Sequence, residues 1–288
     1  MTFRTILAAL DGSAADRRVL DAAATVGAPS EARITALYAD IDPRDIPAAY
    51  VGDGTGIYLA PELWNSLELQ IAGQRNAARQ HFDEWQKRTG LRDAVKNTAG
   101  PSALLRVEVG TVSQLLAEHG PIADLIVAAM PGSSETGKSE MLEAALFDTG
   151  RPVLAMPKTG SIDLDRTAPI AIAWNGRPEA ARALNAALPL LSRSRGEVIL
   201  LNVGKREDPE KLAPVADYLA MHGIAARGLH LLDRPGETGA ILLEEAAKRG
   251  AGLLVMGAYT HSRLRELVMG GVTRHVIKHA ALPVLFEH

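Results

Sequence analysis

Short unbroken apolar runs alternate with longer amphipathic stretches along the whole chain. ILAAL (6–10), RITALYAD (33–40), DLIVAAM (124–130), IAIAW (170–174), EVILLNVG (197–204) and GLLVMG (252–257) each have the length and apolar continuity of a strand covered on both faces. Between them lie stretches such as ADRRVLDAAATVG (15–27) and PEAARALNAALPLLS (178–192), whose alanines and leucines recur at helical spacing. Strands that alternate with helices predict right-handed crossovers and a mainly parallel sheet.

The pattern is written twice. Residues 4–27 and 169–192 each give a strand, a polar turn with Gly12 or Gly176, and an alanine-rich helix. Pro178 sits in the first turn of the second of these helices, where its missing N–H loses no bond. Strand-like runs follow at 33–40 and 197–204, then a strand–turn–helix–strand block at 105–132 and again at 229–260. Each half closes on a short strand, in GRPVLAMP (150–157) and ALPVLFEH (281–288). The expected fold is therefore α/β: two tandem five-stranded, doubly wound, Rossmann-like parallel-sheet domains, 1–158 and 168–288, joined by the polar segment 158–168. One insertion (40–64) occurs only in the first half. Its Gly52, Gly54 and Gly56 do not carry a strand into a helix, so they read as loop rather than as a dinucleotide fingerprint.

Composition narrows the function classes. The 288 residues are 47% apolar and 23% charged, ordinary for a globular protein. A net charge of −3 argues against nucleic acid or an anionic membrane as partner. The absence of cysteine removes thiol catalysis, disulfides and cysteine metal sites, and fits a reducing compartment. No stretch reaches the ~18 apolar residues of a membrane span, and the N-terminal apolar run is too short for a signal segment. A cytoplasmic location is expected.

Gly132 to Ser139 spell G-x-x-x-x-G-K-S, the pattern of a phosphate-binding P-loop. Such a loop normally follows the first strand of its domain and relies on a downstream strand ending in Asp to help hold Mg²⁺. Here it follows the fourth strand, and the downstream strands end in AWNG, LLNVG, VMGAY and VLFEH. The match reads as a coincidental Ser/Gly loop, with Lys138 left as a positive charge beside the first-half pocket.

Residues 251–286, AGLLVMGAYTHSRLRELVMGGVTRHVIKHAALPVLF, resemble the universal stress protein family, whose nucleotide-binding members carry G-x2-G-x9-G-[S/T] between the fourth strand and fourth helix. In this register stand Gly257, Thr260, Gly270 and Gly271, followed by Val272 and Thr273. Thr260 replaces the second glycine, and Gly271 replaces the small hydroxyl residue while keeping a backbone N–H at a helix start. The resemblance spans nearly the whole chain, once per half. It implies adenine-nucleotide binding in the second half, with ATP as ligand and Mg²⁺ arriving only with it. The acidic adenine contact at the end of strand one falls on Asn175, beside Ala173, and the strand-two contact on Val203. Asn175 fits two roles, an adenine contact or an Asx-type turn before the helix.

The first half keeps Asp11 and Ala39 at the corresponding strand ends, but Ala129 replaces the first motif glycine and Gly132 stands alone. The resemblance also implies that the final strands, 152–156 and 283–286, meet in an internal pseudo-dimer. No general base, metal cluster or nucleophile pair accompanies these features, so the expected function is nucleotide-linked stress signalling with little or no turnover. The alternative is a scaffold that has lost nucleotide binding. His275 and His279 lack the Glu of a H-E-x-x-H site, Ser13 reads as a helix cap, and Trp64 and Trp85 read as core or lid packing.

Overall fold

The structure is a computed structural model that describes residues 2–41, 61–94, 100–131, 136–157, 167–205, 211–258 and 271–288, with 61–63 and 136–139 described in backbone only. The first half runs β1 (Thr5–Leu10), α1 (Asp16–Gly27), β2 (Arg33–Asp40), α2 (Pro61–Thr89), β3 (Arg92–Asp93), β4 (Ser102–Val109), α3 (Val112–His119), β5 (Leu125–Ala129), α4 (Thr136–Phe147) and β6 (Val153–Met156). The second runs β7 (Ile170–Ala173), α5 (Pro178–Leu191), β8 (Val198–Gly204), α6 (Ala213–Met221), β9 (Ala226–Leu232), α7 (Thr238–Lys248), β10 (Leu253–Gly257), α8 (Gly271–His279) and β11 (Val284–Glu287).

All of these strands join one sheet in the order β3-β4-β2-β1-β5-β6-β11-β10-β7-β8-β9. Every pairing is parallel except β6 with β11, where Val284 faces Ala155, Leu285 faces Leu154 and Phe286 faces Val153. The expected meeting of the two closing strands is thus present, and it makes the sheet continuous through both halves. The first half departs from five strands. The two-residue β3 pairs with the start of β4 at Arg92↔Ser102 and Asp93↔Ala103 and covers part of that edge.

Helices lie on both faces, as alternating apolar runs require. Ile6, Ala8 and Leu10 of β1 face one core with α1 (Val19, Leu20, Ala23), α2 (Ala78, Phe82, Trp85) and α5 (Ala183, Leu184, Ala187). Leu7 and Ala9 face the other, with α3 (Leu115, Leu116), α4 (Leu142, Ala145), α7 (Leu242, Ala246) and α8 (Val276, Ile277). Period-two alternation within each strand feeds both layers. Trp85 is therefore core, as its spacing suggested. Among the described residues no helix is long and apolar enough to cross a membrane.

The insertion ends sooner than expected. Residues 42–60, with Gly52, Gly54 and Gly56, lie outside the described residues, but helix already begins at Pro61. At 29 residues α2 is the longest helix described, about 43 Å from end to end. The eight-residue β2 beneath it spans only about 26 Å. The helix therefore has length enough to pass the end of the sheet.

The seam between β6 and β11 ends on an acid. Glu287 is 9% exposed and occupies the register position that Met156 holds in the first half. Burial pushes its carboxyl up to about 7, against the opposing pull of Arg182 and Arg151. Because the folded chain holds this proton more tightly than the unfolded one, Glu287 lowers stability as pH rises from 4.5 to about 7, and no further above that. A shift of this size corresponds to roughly 3 kcal/mol. Denaturant melts of Glu287→Gln should show a stability gain over the parent that grows through that window and then levels. A gain independent of pH would contradict this role.

Candidate functional site

In a doubly wound sheet, ligands bind beyond the carboxyl ends of the strands where the winding reverses. The strand order places one such crevice in each half, between β1 and β5 and between β7 and β10. The two are built from equivalent residues and filled differently.

In the second half, β7 runs through Ala173 to Trp174 and Asn175, and the chain turns at Gly176 with φ +78°. That left-handed turn suits glycine, and among the described residues a Cβ added at Gly176 meets nothing within 4 Å. Val203 lies on β8, two residues past Leu201, which pairs with Ala173. Gly257 ends β10 two residues past Val255, the partner of Ile172, so it stands level with Trp174. Its contact with α5 is tight, since a Cβ there would lie 2.6 Å from the Glu179 carbonyl carbon and 2.7 Å from the Ala180 nitrogen. The glycine lets the end of β10 press against the start of α5.

Gly271 opens α8, and no atom of the described residues lies within 4 Å of where its side chain would stand. Val272 packs on the core and Thr273 is buried. Ala173, Asn175, Val203, Gly257 and Gly271 thus gather at one end of the sheet, as the motif register required. Thr260 and Gly270 lie outside the described residues, within 259–270.

Asn175 makes the Asx turn. Its Oδ1 accepts the Arg177 N–H at 3.0 Å. The carboxamide NH₂ then remains as a donor to a base, while the oxygen already holds the turn. Beside it, buried Asn202 donates from Nδ2 to the Trp174 carbonyl at 2.7 Å and ties β8 to the turn. Neither Trp174 nor Asn202 carried a signal in the sequence, because each stands singly inside an apolar run.

In the first half, the same turn is closed by the chain itself. Gly12 also has φ +78°, but a Cβ there would lie 2.3 Å from the Gln74 carbonyl oxygen, so the backbone of α2 rests on it. The polar groups around that contact are engaged with the turn or with α2. Asp11 accepts the Ser13 N–H at 2.8 Å. Asp40, at the end of β2, pairs with Arg75 of α2 at 2.9 Å. Asp16, 1% exposed, accepts the N–H groups of Asp11 and Gly12, both at 3.0 Å. His81 Nδ1 of α2 stands 3.3 Å from Asp16 Oδ2.

Burial is the main reason that the Asp16 carboxyl is pushed up to about 7, with the neighbouring Asp11 carboxyl adding to it. Burial also holds His81 below the usual imidazole range. Tyr38, on β2, is pushed up to about 12 by burial and by Asp40. The crevice is thus acidic and roofed by a basic helix face. A comparison of the repeats held the clue, since Asp16 aligns with Ala180, an apolar residue at the same buried position of the second helix.

The G-x-x-x-x-G-K-S stretch falls between β5 and α4. Gly132 to Glu135 lie outside the described residues, and Gly137, Lys138 and Ser139 belong to the first turn of α4. On α8 the rings of His275 and His279 stack at 4.2 Å, and His279 Nδ1 approaches the His275 carbonyl at 2.9 Å. Among the described residues no group of three or more His, Cys, Asp or Glu is placed to hold a metal. A small apolar pocket lined mainly by Val26, Pro29, Ile170, Leu190 and Leu253 opens at the amino ends of the second-half strands, away from the crevice.

Comparison with known proteins agrees with this architecture. Residues 167–286 match the model of the universal stress protein family. No curated protein matches the chain. A universal stress protein from Archaeoglobus fulgidus DSM 4304 superposes with a TM-score of 0.69 at 16% identity, over 98% of this chain and 95% of that one. A putative universal stress protein from Pseudomonas aeruginosa UCBPP-PA14 superposes with a TM-score of 0.61 at 15% identity, over 99% of this chain and 93% of that one. At these identities the two structures show the shared fold.

The asymmetry of the two turns has a measurable consequence. Gly176→Ala should destabilise by about 1–2 kcal/mol, the cost of a left-handed alanine alone. Gly12→Ala adds a backbone clash with α2 and should lose clearly more in urea denaturation. Equal losses would mean that α2 does not bear on Gly12.

Proposed function

Because residues 167–286 belong to the universal stress protein family, we propose that the protein binds an adenine nucleotide in its second-half crevice and serves nucleotide-linked stress signalling with little or no turnover. The ligand is ATP, with Mg²⁺ carried on its phosphates. The two halves act as domains, 1–158 and 168–288, fused into an internal pseudo-dimer that works in the cytoplasm without nucleic acid or membrane as partner.

The observation that carries the reading is that, among the described residues, nothing crowds the turn at Gly176 or the start of α8 at Gly271, both at the carboxyl end of the sheet. Backbone N–H groups at the start of a helix attract anions through unpaired donors and the helix dipole. In the first half the equivalent turn is covered by the backbone of α2, which leaves no room for a ligand against Gly12. Asn175, with Oδ1 engaged by Arg177, offers an NH₂ donor to an acceptor on the base edge. Lys138 has no part in this site, and the G-x-x-x-x-G-K-S match remains coincidental in this reading.

Gly271→Val tests the reading, because its side chain enters open space and leaves the fold intact while crowding the phosphate approach. Calorimetry should show at least a tenfold loss in ATP affinity, about 1.4 kcal/mol, with adenosine losing much less. Equal losses for both ligands would mean that phosphates do not sit at the start of α8. Absence of ATP and adenosine binding in the parent protein at millimolar concentration would replace this reading with that of an interaction scaffold.

A further inference from the structure

Helix α2 makes a kind of contact with its half that α6 does not make with the other. Its backbone lies on Gly12, and two polar side chains, His81 and Arg75, reach Asp16 and Asp40 at the carboxyl edge of the sheet. Farther along, Phe82 and Trp85 bury themselves in the core, so the C-terminal part of the helix is anchored by apolar packing. The part from Gln74 toward Pro61 has a different character. Leu69 is 74% exposed, and the Arg75–Asp40 pair lies at the beginning of the anchored stretch.

We propose that α2 is a strap over the first-half crevice, latched by His81 on Asp16 and Arg75 on Asp40, which acidification tightens and a rise in pH loosens.

The direction follows from which groups the strap buries. Asp16 is faced by Asp11 from its own turn, by Tyr38 from β2 and by His81 from α2, while Asp40 and Arg75 bear on Tyr38, and Arg17, Glu84 and Asp11 bear on His81. With the strap closed, burial keeps the Asp16 carboxyl protonated up to about pH 7. Lifting α2 returns water to it, and its affinity for the proton falls toward the ordinary value of 3.8. Closed α2 therefore holds a proton that open α2 releases, and opening becomes easier as pH rises from about 4 to about 7, then levels. His81 acts in opposition. Closure lowers its proton affinity, so a proton on His81 favours opening below the usual imidazole range. Burial moves the Asp16 carboxyl from 3.8 to about 7, and this sets the net direction. The Arg75–Asp40 ion pair, at 2.9 Å, gives the latch a second contact.

The strap does not require nucleotide binding in the second half, and its test uses no ligand. Hydrogen exchange of the full-length protein, read by mass spectrometry at pH 5, 6, 7 and 8, reports opening of α2 against α5 to α8 as internal reference. After correction for intrinsic exchange chemistry, protection of residues 74–84 should fall by up to tenfold per pH unit between 5 and 7 relative to that reference. It should level by pH 8. Asp16→Asn keeps an acceptor for the turn but has no proton to release, so it should abolish the slope and leave α2 protected at pH 7. Parallel behaviour of α2 and the reference helices would overturn the proposal, as would a slope that persists in Asp16→Asn. Should that variant fail to fold, His81→Leu carries the test. It removes the partner of Asp16 on α2 and should speed α2 exchange at least fivefold at pH 6.5 while the reference helices stay unchanged. An unchanged rate in α2 would overturn the latch.

Discussion

The antiparallel pairing of β6 with β11 is the constraint on which the rest of the molecule depends. Each half, wound as its sequence dictates, ends on a short apolar strand with an unpaired edge. Joining the two edges buries Val153, Leu154, Val284, Leu285 and Phe286 completely and merges the apolar layers on both faces. The carboxyl ends of the other strands, where crevices form, are left clear of the seam. The seam also explains why an acid at the end of β11 is so deeply covered. Glu287 lies where the first-half strand begins, within the field of Arg151 from one half and Arg182 from the other.

From that near-symmetric frame the two halves diverge through one element. The first half has a 29-residue α2 where the second has a nine-residue α6. The long helix reaches the β1 turn, puts its backbone on Gly12 and brings His81 to Asp16 and Arg75 to Asp40. The short helix leaves Gly176 uncovered. Glycine has the same backbone conformation at both turns, so the difference lies in what packs above it. Two similarly wound halves thus end in different crevices, and the chain fills the first with its own helix.

Much of this was legible in the sequence, for physical reasons. Apolar runs of strand length, repeated with glycine at the same turn, specify a doubly wound sheet twice over. That the closing strands would meet was implied by the resemblance to the universal stress protein family, and their apolar character suits it. The gathering of Ala173, Asn175, Val203, Gly257 and Gly271 follows from the same register. What could not be read was the consequence of contacts distant in sequence. That α2 would lie on Gly12 depends on the length and course of a helix whose beginning looked like loop. Asp16 resembled an ordinary first-turn acid, and only His81, far along the chain, makes it part of a latch. Asn175 was ambiguous because both of its roles use the same carboxamide, and the hydrogen bond to Arg177 assigns that oxygen to the turn.

The account rests on a single open crevice per chain. The most direct measurement is the stoichiometry of ATP bound at saturation, by native mass spectrometry of the full-length protein with calorimetry as the check. One nucleotide per chain is the result expected from an open second half and a strapped first half. Two per chain would contradict the closure of the first half, and none would contradict the nucleotide site itself.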